Sequence, residues 1–453
     1  MTPPPAATER RSLLPDRRSA VLLGLLVAVA FVVRIDLLRN TSSPIPPAPA
    51  VSDAAAYRLL GANLADGKGY VRPFDLQRDG RTVRSAEYPP GFPVLLAAAD
   101  TVGISSETGQ RALLCLVGSL TVGLVGLVGR RLGGDGVGLL GAGIAAVHPA
   151  LWSTDTSPLA EPLAAFLGMA AVLAALAVWD RPARLRWIAL GVVAGLGGLV
   201  RAELLLMGPL LVLPLAWRLD ADRRRRLVSV AVGLGAMAAV LAPWTIRNAV
   251  VFHRFVPVSN NLGSVARGAN CDRAYHGEFR GLWVTNVATD GGLDVDPDGE
   301  CFTGFDVTHG RNEAESAATL RGQGLSYVRH HLGDVPGVAA ARVGRTVGLY
   351  RFDQQVNFAR FEGRTARSDR WGARLFQLLA VVAALGAVAP WRRRGDGPRW
   401  VLVVPLVAVL ATVLVTYGNF RFRAVADPAV VVLAALAVAD LVAHLGRPRP
   451  GST

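Results

Sequence analysis

An acidic residue and a proline-rich turn lie where this chain could do chemistry at a membrane surface. Asp53 occurs in Val51-Ser-Asp-Ala-Ala-Ala-Tyr57, beyond the first apolar stretch, Ala20–Val33. Glu87-Tyr-Pro-Pro-Gly-Phe-Pro93 follows before the next long apolar run. Ionisable groups at the face or interior of a membrane protein are candidates for function. The alternative is that Asp53 only caps a helix through Ala54–Asn63.

Several arginines lie at the outer ends of apolar runs, where they oppose the usual sorting of positive charge. They are Arg34, Arg201, Arg247, Arg421 and Arg423. Each one alone could extend its charged head to the lipid headgroups. Together on one face they would form a phosphate site, because guanidinium groups bind phosphate oxygens in a bidentate way and keep their charge.

Carboxylates lie on the same predicted face. Glu161 ends Thr154-Asp-Thr-Ser-Pro-Leu-Ala-Glu161, Asp155 is nearby, and Glu203 follows Arg201. This pairing suits transfer of a group from a phosphate leaving group to a hydroxyl. A carboxylate can take the proton of the hydroxyl, and arginines can stabilise the charge on the departing phosphate.

The elements that must position these residues are membrane helices. The 453 residues are 51% hydrophobic, with a mean hydropathy of +0.36, and they contain many long apolar runs. We predict about ten spans, near 19–38, 108–129, 134–151, 159–179, 185–200, 202–217, 227–247, 371–390, 399–417 and 425–445. The net charge of +14 lies in short arginine blocks and not in a basic groove, which excludes a nucleic-acid partner.

Every second predicted loop is rich in arginine, as in Arg130-Arg131 and Arg223–Arg226. Such loops face the cytoplasm, so both termini are predicted to be cytoplasmic and the candidate residues extracytoplasmic. Residues 1–18 are predicted to be disordered. A cleaved signal peptide is disfavoured, because the small-residue sequence Ala48-Pro-Ala50 lies too far beyond the apolar core.

The predicted domains are a transmembrane module at 19–247 that includes an external loop at 39–107, an extracytoplasmic lobe at 248–370, helices at 371–445 and a tail at 446–453. Cys271 and Cys301 share the predicted lobe, so they are expected to form a disulfide in an oxidising compartment, with free thiols as the alternative. No Cys or His spacing predicts a zinc site, and His253, His276, His330 and His331 are read as loop residues.

The order of several motifs resembles the GT-C-fold glycosyltransferases, in the branch of the protein O-mannosyltransferases and the aminoarabinose transferase of lipid A. The first loop shows it in Asp53, Tyr57, Gly67-Lys-Gly69 and Glu87 to Pro93. Three later segments are also similar: Pro243-Trp-Thr-Ile-Arg-Asn248, Phe255-Val-Pro-Val-Ser259, and Phe420-Arg-Phe-Arg423 with Asp427-Pro428. The resemblance covers roughly residues 20–445.

The resemblance implies an inverting enzyme that takes a sugar from a polyprenyl-phosphate donor on the outer leaflet and passes it to an envelope acceptor. It makes Asp53 the base or acceptor-orienting group. It makes Glu161 the second acid, with Asp155 as the competing choice. Arg247, Arg201, Arg421, Arg423, Arg34, Tyr57, Glu87, Tyr88 and Asn248 are then expected to bind substrate.

The resemblance also places Tyr88, Pro89 and Pro90 in a juxtamembrane helix and makes Val94–Val102 a helix on the surface. The chain departs from the eukaryotic mannosyltransferases, because Ala54 follows Asp53 where they have an acidic pair, and no β-trefoil insertion is present. This departure weakens the case for a protein acceptor and leaves a divalent metal open. A transporter and a non-catalytic lipid-binding assembly subunit remain alternative classes.

Overall fold

The computed structural model describes residues 16–41, 52–284, 301, 312–361, 364–389 and 397–446, and this part of the chain is helical. The helices are α1 (Arg17–Arg39), α2 (Asp53–Ala65), α3 (Pro73–Asp79), α4 (Gly91–Thr101), α5 (Glu107–Gly133), α6 (Asp135–Ala146), α7 (Pro149–Asp155), α8 (Glu161–Asp180), α9 (Arg184–Val200), α10 (Met207–Leu219), α11 (Arg223–Phe252), α12 (Leu262–Gly268), α13 (Asp272–Tyr275), α14 (Glu313–His330), α15 (Val335–Val347), α16 (Phe352–Phe361), α17 (Ala366–Val388), α18 (Val403–Val415) and α19 (Asp427–Leu445). Short 3₁₀ turns cover Ala202–Leu206, Gly277–Phe279, Arg399–Leu402 and Phe420–Val425. Residues 1–15 of the predicted disordered segment and most of the predicted tail lie outside the described residues. The prediction was wrong for residues 16–18, because Asp16 caps α1 by accepting a hydrogen bond from the Ser19 amide, and Arg17 and Arg18 belong to that helix.

Seven helices within the described ranges are long and apolar enough to cross a membrane, and eight if the α6–α7 pair counts as one span bent by 59°. The predicted number of ten is therefore not confirmed. The difference arises at two predicted spans. The helix α9 has 17 residues, and the apolar segment Arg399–Val415 has 17. At 1.5 Å per residue, each is about 26 Å long, which is shorter than a typical hydrocarbon core.

The helices pack through small residues, as expected where lipid supplies no hydrophobic drive between them. Gly91, at the start of α4, lies against the end of α9. A β-carbon there would be 2.8 Å from a Val200 methyl group and 2.9 Å from the Leu199 carbonyl oxygen. Glycine at this position therefore lets the first-loop helix α4 lie beside Arg201, which follows α9.

The first external loop folds as three helices, α2, α3 and α4, and α2 packs on α4. The expected helix at Val94–Val102 is α4, which has 11 residues. The expectation for Tyr88, Pro89 and Pro90 was wrong, because these residues precede α4 in an irregular segment. Consecutive prolines explain this, since a proline ring disfavours the helical region for the residue before it.

The described part of the predicted extracytoplasmic lobe has its own small core, in which the disulfide is central. Cys271 and Cys301 are joined, and both are buried among Tyr275, Phe279 and Val338. Hydrogen bonds connect the lobe to the bundle. They run from Arg342 in α15 to the Leu414 carbonyl oxygen at 2.8 Å and from the Gly418 amide to the Gly281 carbonyl oxygen at 2.9 Å. The lobe therefore holds the chain that leads into Arg421.

Removing the disulfide is expected to destabilise the lobe. The two cysteines are 30 residues apart, and closing a loop of this size is worth roughly 3–4 kcal/mol in the chain-entropy model. We expect the double variant Cys271→Ser with Cys301→Ser to unfold at lower temperature, as measured by proteolysis or fluorescence during heating. Cys115→Ala is the control, because Cys115 is a buried free thiol. Equal melting temperatures for the double variant and the wild type would contradict a structural role for the bond.

Candidate active site

Asp53 begins α2 without serving as its cap. The cap is Ser52, whose hydroxyl oxygen accepts a hydrogen bond from the Ala55 amide at 3.2 Å. A serine at this position satisfies one of the unpaired amides at the helix start. The alternative that Asp53 only caps the helix was therefore wrong, and the Asp53 carboxylate is available to groups outside its own helix.

Arg421 connects Asp53 to Glu161. Its Nη2 atom lies 2.8 Å from Asp53 Oδ2, and its Nε atom lies 3.5 Å from Glu161 Oε1. Arg421 sits in the 3₁₀ turn Phe420–Val425, where Asn419 accepts a hydrogen bond from the Arg421 amide at 3.0 Å. Residues far apart in sequence thus meet at one end of the helix bundle, at the starts of α2 and α8 and before α19.

Arg201 extends this cluster on the other side of Glu161. Its guanidinium forms ion pairs with Glu161 and with Glu203, and it lies 5.4 Å from the centre of the Phe422 ring. Two arginines and three carboxylates therefore form one network, which we call the Asp53 cluster. It carries an excess of one negative charge when all five groups are ionised.

Two tyrosines line the Asp53 cluster. The Tyr88 hydroxyl donates a hydrogen bond to Asp53 Oδ1 at 3.0 Å, and the Tyr57 ring packs edge-on against Tyr88 and Phe92 at about 5 Å. Burial and the charge of Asp53 raise the pKa of the Tyr57 hydroxyl above its usual value. Both tyrosines therefore stay neutral, and Tyr88 is the one that orients the acid.

The electrostatic surroundings of Asp53 keep it ionised. Burial acts to raise the pKa of its carboxyl group, but the charge of Arg421 and the hydrogen bonds from Arg421 and Tyr88 outweigh it, so the pKa lies below the usual value. A carboxylate in this state can accept a hydrogen bond or a proton from a bound hydroxyl, and its position is fixed by two donors.

Asp155 and Arg34 form a separate buried pair. Arg34 Nε donates to Asp155 Oδ2 at 2.7 Å, and the Arg34 side chain has no exposed surface. Gly118 makes room for the pair, because a β-carbon there would lie 2.1 Å from Asp155 Oδ2. Of the two candidate second acids, Glu161 is the one that lies with Asp53. Arg34 is not in contact with the Asp53 cluster.

Arg423 is also buried, two residues beyond Arg421. Its Nε atom lies 3.3 Å from Asp427 Oδ1, and its guanidinium packs 4.4 Å from the Phe376 ring centre and 5.1 Å from that of Phe420. This pair connects the 3₁₀ turn to the start of α19. Arg423 thus holds the turn that carries Arg421, through contacts with Asp427, two aromatic rings and the Thr346 carbonyl oxygen.

Arg247 and Asn248, at the end of α11, contact the first external loop. Arg247 donates to the carbonyl oxygens of Ser85 at 2.6 Å and Tyr70 at 3.0 Å, and to the side-chain oxygen of Asn248 at 2.9 Å. Its guanidinium also lies 4.8 Å from the Trp244 ring centre. These contacts hold the two irregular segments around Tyr70 and Ser85, the second of which leads to Tyr88. The structure does not bring Arg247 into contact with Asp53.

We expect Arg247→Ala to lower the stability of the protein by about 1–3 kcal/mol. The loss of the guanidinium removes the described donor to the Ser85 carbonyl oxygen and one of two donors to the Tyr70 carbonyl oxygen, which also accepts from the Ser85 amide. Thermal unfolding measures this change, and Arg254→Ala is the control because Arg254 is half exposed and its described ion pair is with the half-exposed Glu315. A donor-phosphate role predicts a different result. The stability would be unchanged and the KM for the lipid donor would rise.

A residue that the sequence did not single out, Glu313 at the start of α14, holds the segment before Tyr88. It accepts hydrogen bonds from the Ala86 amide at 2.7 Å, the Asn260 side chain at 3.0 Å and Arg72 Nε at 3.2 Å. Glu87, expected to bind substrate, lines a cavity beside Glu313. No sequence motif marks Glu313. Its role is visible only in the structure, where it contacts first-loop residues that are far away in sequence.

The described residues do not fit a bound divalent metal. They contain no group of three or more His, Cys, Asp or Glu side chains that could hold one ion. Asp53 and Glu161 instead share Arg421, which occupies the place of a cation between them. We therefore derive no step through a metal.

The chain is similar to membrane glycosyltransferases in sequence and in structure. Residues 87–246 match the family model described as dolichyl-phosphate-mannose-protein mannosyltransferase. A search of curated proteins found no significant match to the chain. The matched residues include Glu161, Arg201 and Tyr88, and they end just before Arg247.

Solved structures share the fold. The oligosaccharyltransferase AglB from Archaeoglobus fulgidus, in complex with an inhibitory peptide and a dolichol-phosphate, is 12% identical, with a TM-score of 0.53 over 95% of this chain and 51% of its own. The same species' enzyme tethered to an acceptor peptide is 14% identical, with a TM-score of 0.52 over 96% of this chain and 51% of its own. This chain thus spans about half the length of these structures.

ArnT from Cupriavidus metallidurans is 18% identical over 93% of this chain and 78% of its own, at a TM-score of 0.39, which is too low to carry weight. The predicted fold class is confirmed by the archaeal structures and the helical architecture. The chain is an all-α integral membrane protein with a GT-C-type helical bundle, and its residues 87–246 match the dolichyl-phosphate-mannose-protein mannosyltransferase family model.

Proposed function

We propose that this protein moves a sugar from a polyprenyl-phosphate donor to an extracytoplasmic envelope acceptor by an inverting single displacement. The observation that carries the proposal is the position of Asp53. Its carboxylate is held by Tyr88 and Arg421 at one end of a membrane bundle, beside Glu161. A lipid-linked phosphate can reach such a site from the bilayer, and a hydroxyl acceptor can reach it from the aqueous side.

In the proposed step, the acceptor hydroxyl oxygen attacks the anomeric carbon of the sugar. The bond from that carbon to the phosphate oxygen breaks, and the phosphate leaves with the bonding electrons. Asp53 orients the hydroxyl and takes its proton, as the base does in inverting glycosidases. The phosphate needs no strong acid in order to leave, so Glu161 serves to hold Arg421 and Arg201 in place.

The donor phosphate is proposed to contact Arg421 and Arg201, whose side chains are each 13% exposed. Charge-assisted contacts from preorganised arginines stabilise the negative charge that grows on the leaving group. Arg247, Arg34 and Arg423 are weaker candidates, because their described contacts are to carbonyl oxygens or to buried acids. Tyr57, whose ring packs edge-on against Tyr88, is proposed to pack against the sugar as well.

We propose that the protein lies in a bacterial plasma membrane, with both termini in the cytoplasm and the Asp53 cluster outside. The charges at the opposite end of the bundle support this orientation. Arg131 pairs there with Asp180, and Arg399 pairs with Asp440 at 2.6 Å. Of the described arginine-rich segments, Arg130 and Arg131 end α5 and Arg223 to Arg226 begin α11 at that same end, as expected of a cytoplasmic face under the positive-inside rule.

The test is to incubate the purified protein in nanodiscs with single polyprenyl-phosphate sugars and an envelope extract, and to analyse the acceptor fraction by mass spectrometry. Mannose, arabinose, glucose and amino-sugar donors are tested separately. Appearance of an added sugar residue with one donor supports the proposal and names the sugar and the acceptor. Lipid-donor binding without transfer of any sugar would favour the non-catalytic assembly subunit instead.

A further inference from the structure

A cavity lies between the first-loop residues 72–87 and the lobe residues 260–264 and 313–320. It has a volume of about 190 Å³. Its polar wall includes Arg72, Asp75, Glu87, Asn260, Glu313 and Ser316. Because Glu87 precedes Tyr88, whose hydroxyl binds Asp53, the cavity adjoins the segment that positions the proposed base.

The cavity wall contains a buried hydroxyl group, that of Ser316, without a described hydrogen-bond partner. Ser316 lies in α14 and is only 2% exposed, and its hydroxyl oxygen has no hydrogen-bond partner among the described residues. Leaving a buried hydroxyl unpaired costs about 1–3 kcal/mol. A buried hydroxyl that lines a cavity without a partner therefore points to a ligand with polar groups.

Glu87 adds negative charge without a described counter-ion. Arg72 is already engaged, because it lies 3.2 Å from Glu313 and 3.8 Å from Asp75. No ion pair or side-chain hydrogen bond of Glu87 is present in the part of the chain that the structure describes. Three carboxylates and one arginine thus line the cavity, which leaves an excess of two negative charges when Glu87 is ionised.

The remaining wall is largely apolar and includes Phe74, Ala317 and Leu320. A ligand that fits is therefore expected to present a positive charge and hydrogen-bonding groups to the polar side chains, and methylene groups to the apolar ones. An anionic phosphate does not meet this description, because like charges would face each other.

We propose that this cavity is an acceptor subsite, which binds an ammonium- or guanidinium-bearing, hydroxyl-rich part of the acceptor and so presents a hydroxyl to Asp53. This inference rests on the proposed function and specifies its acceptor as cationic. Glu87 supplies the charge that pairs with the ligand. Ser316, Asn260 and Asn261 supply hydrogen bonds to its hydroxyl groups.

The ionisation of Glu87 makes the subsite sensitive to pH. Burial, and then the charge of Glu313, raise the pKa of the Glu87 carboxyl group to about 7, while Arg72 acts to lower it and Asp53 and Asp75 to raise it. The carboxyl group is therefore neutral well below this value and charged above it. Affinity for a permanent cation is expected to rise as the pH increases through neutrality.

The test compares glucamine, an amino-alditol with a protonated amine, with sorbitol, which has a hydroxyl in its place. Calorimetry in zwitterionic-lipid nanodiscs without donor measures their binding. We expect glucamine to bind roughly tenfold more tightly than sorbitol at about pH 8, as for one charge-assisted contact. We expect its affinity to fall roughly fivefold at about pH 6.

Two variants and a control complete the experiment. Glu87→Gln and Asp75→Asn should each reduce the preference for glucamine, and Glu87→Gln should also remove the pH dependence. Glu315→Gln, half exposed on α14 outside the cavity wall, should bind as the wild type does. Equal affinities for the two probes, or an unchanged glucamine affinity in Glu87→Gln, would overturn the proposal. Because no donor is present, this result is independent of whether sugar transfer occurs.

Discussion

Replacing Asp53 by asparagine is expected to lower kcat/KM for sugar transfer by roughly 100- to 10,000-fold, the usual contribution of a positioned acid or base. The amide keeps the size of the carboxylate and can still accept a hydrogen bond from Tyr88. It cannot take a proton from the acceptor hydroxyl, and it removes the charge that holds Arg421 at 2.8 Å. The initial rate of transfer from a defined lipid donor measures the effect.

Asp66→Asn is the matched control, because Asp66 lies at the other end of the same helix, is exposed and pairs only with Lys68 at 2.8 Å. Its activity should equal that of the wild type. Thermal unfolding of Asp53→Asn and its binding of the lipid donor should change little. An Asp53→Asn protein that retains the rate of Asp66→Asn would exclude Asp53 as the base.

Arg421→Gln is expected to have the second largest effect, a fall in kcat/KM of roughly 100-fold or more. The substitution removes the only group that contacts both Asp53 and Glu161 among the described ion pairs. Glu161 would lose one of its two described arginine partners, and Asp53 would lose its described ion pair. The proposed donor phosphate would also lose one of its two proposed guanidinium contacts, and removal of one preorganised donor to a developing negative charge typically costs roughly 100- to 1,000-fold in rate.

The same variant should change the dependence of the rate on pH. In the wild type, Arg421 and Tyr88 hold the pKa of Asp53 below its usual value in spite of burial. The carboxylate therefore stays ionised until the pH falls through that lowered pKa, and activity is lost only below it. Without Arg421, only Tyr88 and Arg201 of the described lowering influences still oppose burial, so the pKa of Asp53 rises and the acidic limb of the kcat/KM profile should move to higher pH.

Arg81→Gln is the control for charge alone, since Arg81 is an exposed first-loop arginine that pairs with Asp79 at 2.9 Å. Its pH profile should match that of the wild type. If the profiles of Arg421→Gln and the wild type superimpose on the acidic side, Asp53 is not the group whose ionisation sets that limb.

Much of the fold could be predicted from the sequence, because long apolar runs and alternating loop charges report directly on membrane helices. The expected helix at Tyr88-Pro89-Pro90 was wrong because consecutive prolines disfavour helix, and the predicted number of spans was not confirmed where helices are short. The span count depends on such helices. Length alone does not decide whether a 17-residue helix crosses the membrane.

The candidate site could be predicted by residue type but not by pairing. Residue type and the expected outer face selected Asp53, Glu161, Arg201 and Arg421, but the same criteria also selected Arg34, Arg247, Arg423 and Asp155, and only the family resemblance preferred Glu161 to Asp155. Which arginine meets which acid depends on tertiary packing, as the separation of Arg34–Asp155 from the Asp53 cluster shows. The role of Arg247 as a clamp on backbone carbonyls could not be anticipated, because carbonyl positions in a loop leave no pattern in the sequence. The catalytic and binding roles themselves stay predictions.

The helix α9 and the 17-residue segment Arg399–Val415 have a consequence for the surrounding bilayer if they cross it, as the sequence predicts. Arg201 directly follows α9, and Arg421 lies a few residues after α18, so the two arginines of the Asp53 cluster stand at the ends of these two short segments. A hydrocarbon layer about 30 Å thick would have to thin by several ångströms to match segments of about 26 Å. The headgroup region would then lie closer to the arginines, so the proposed lipid-phosphate donor would dock without lifting its isoprenoid chain out of the lipid.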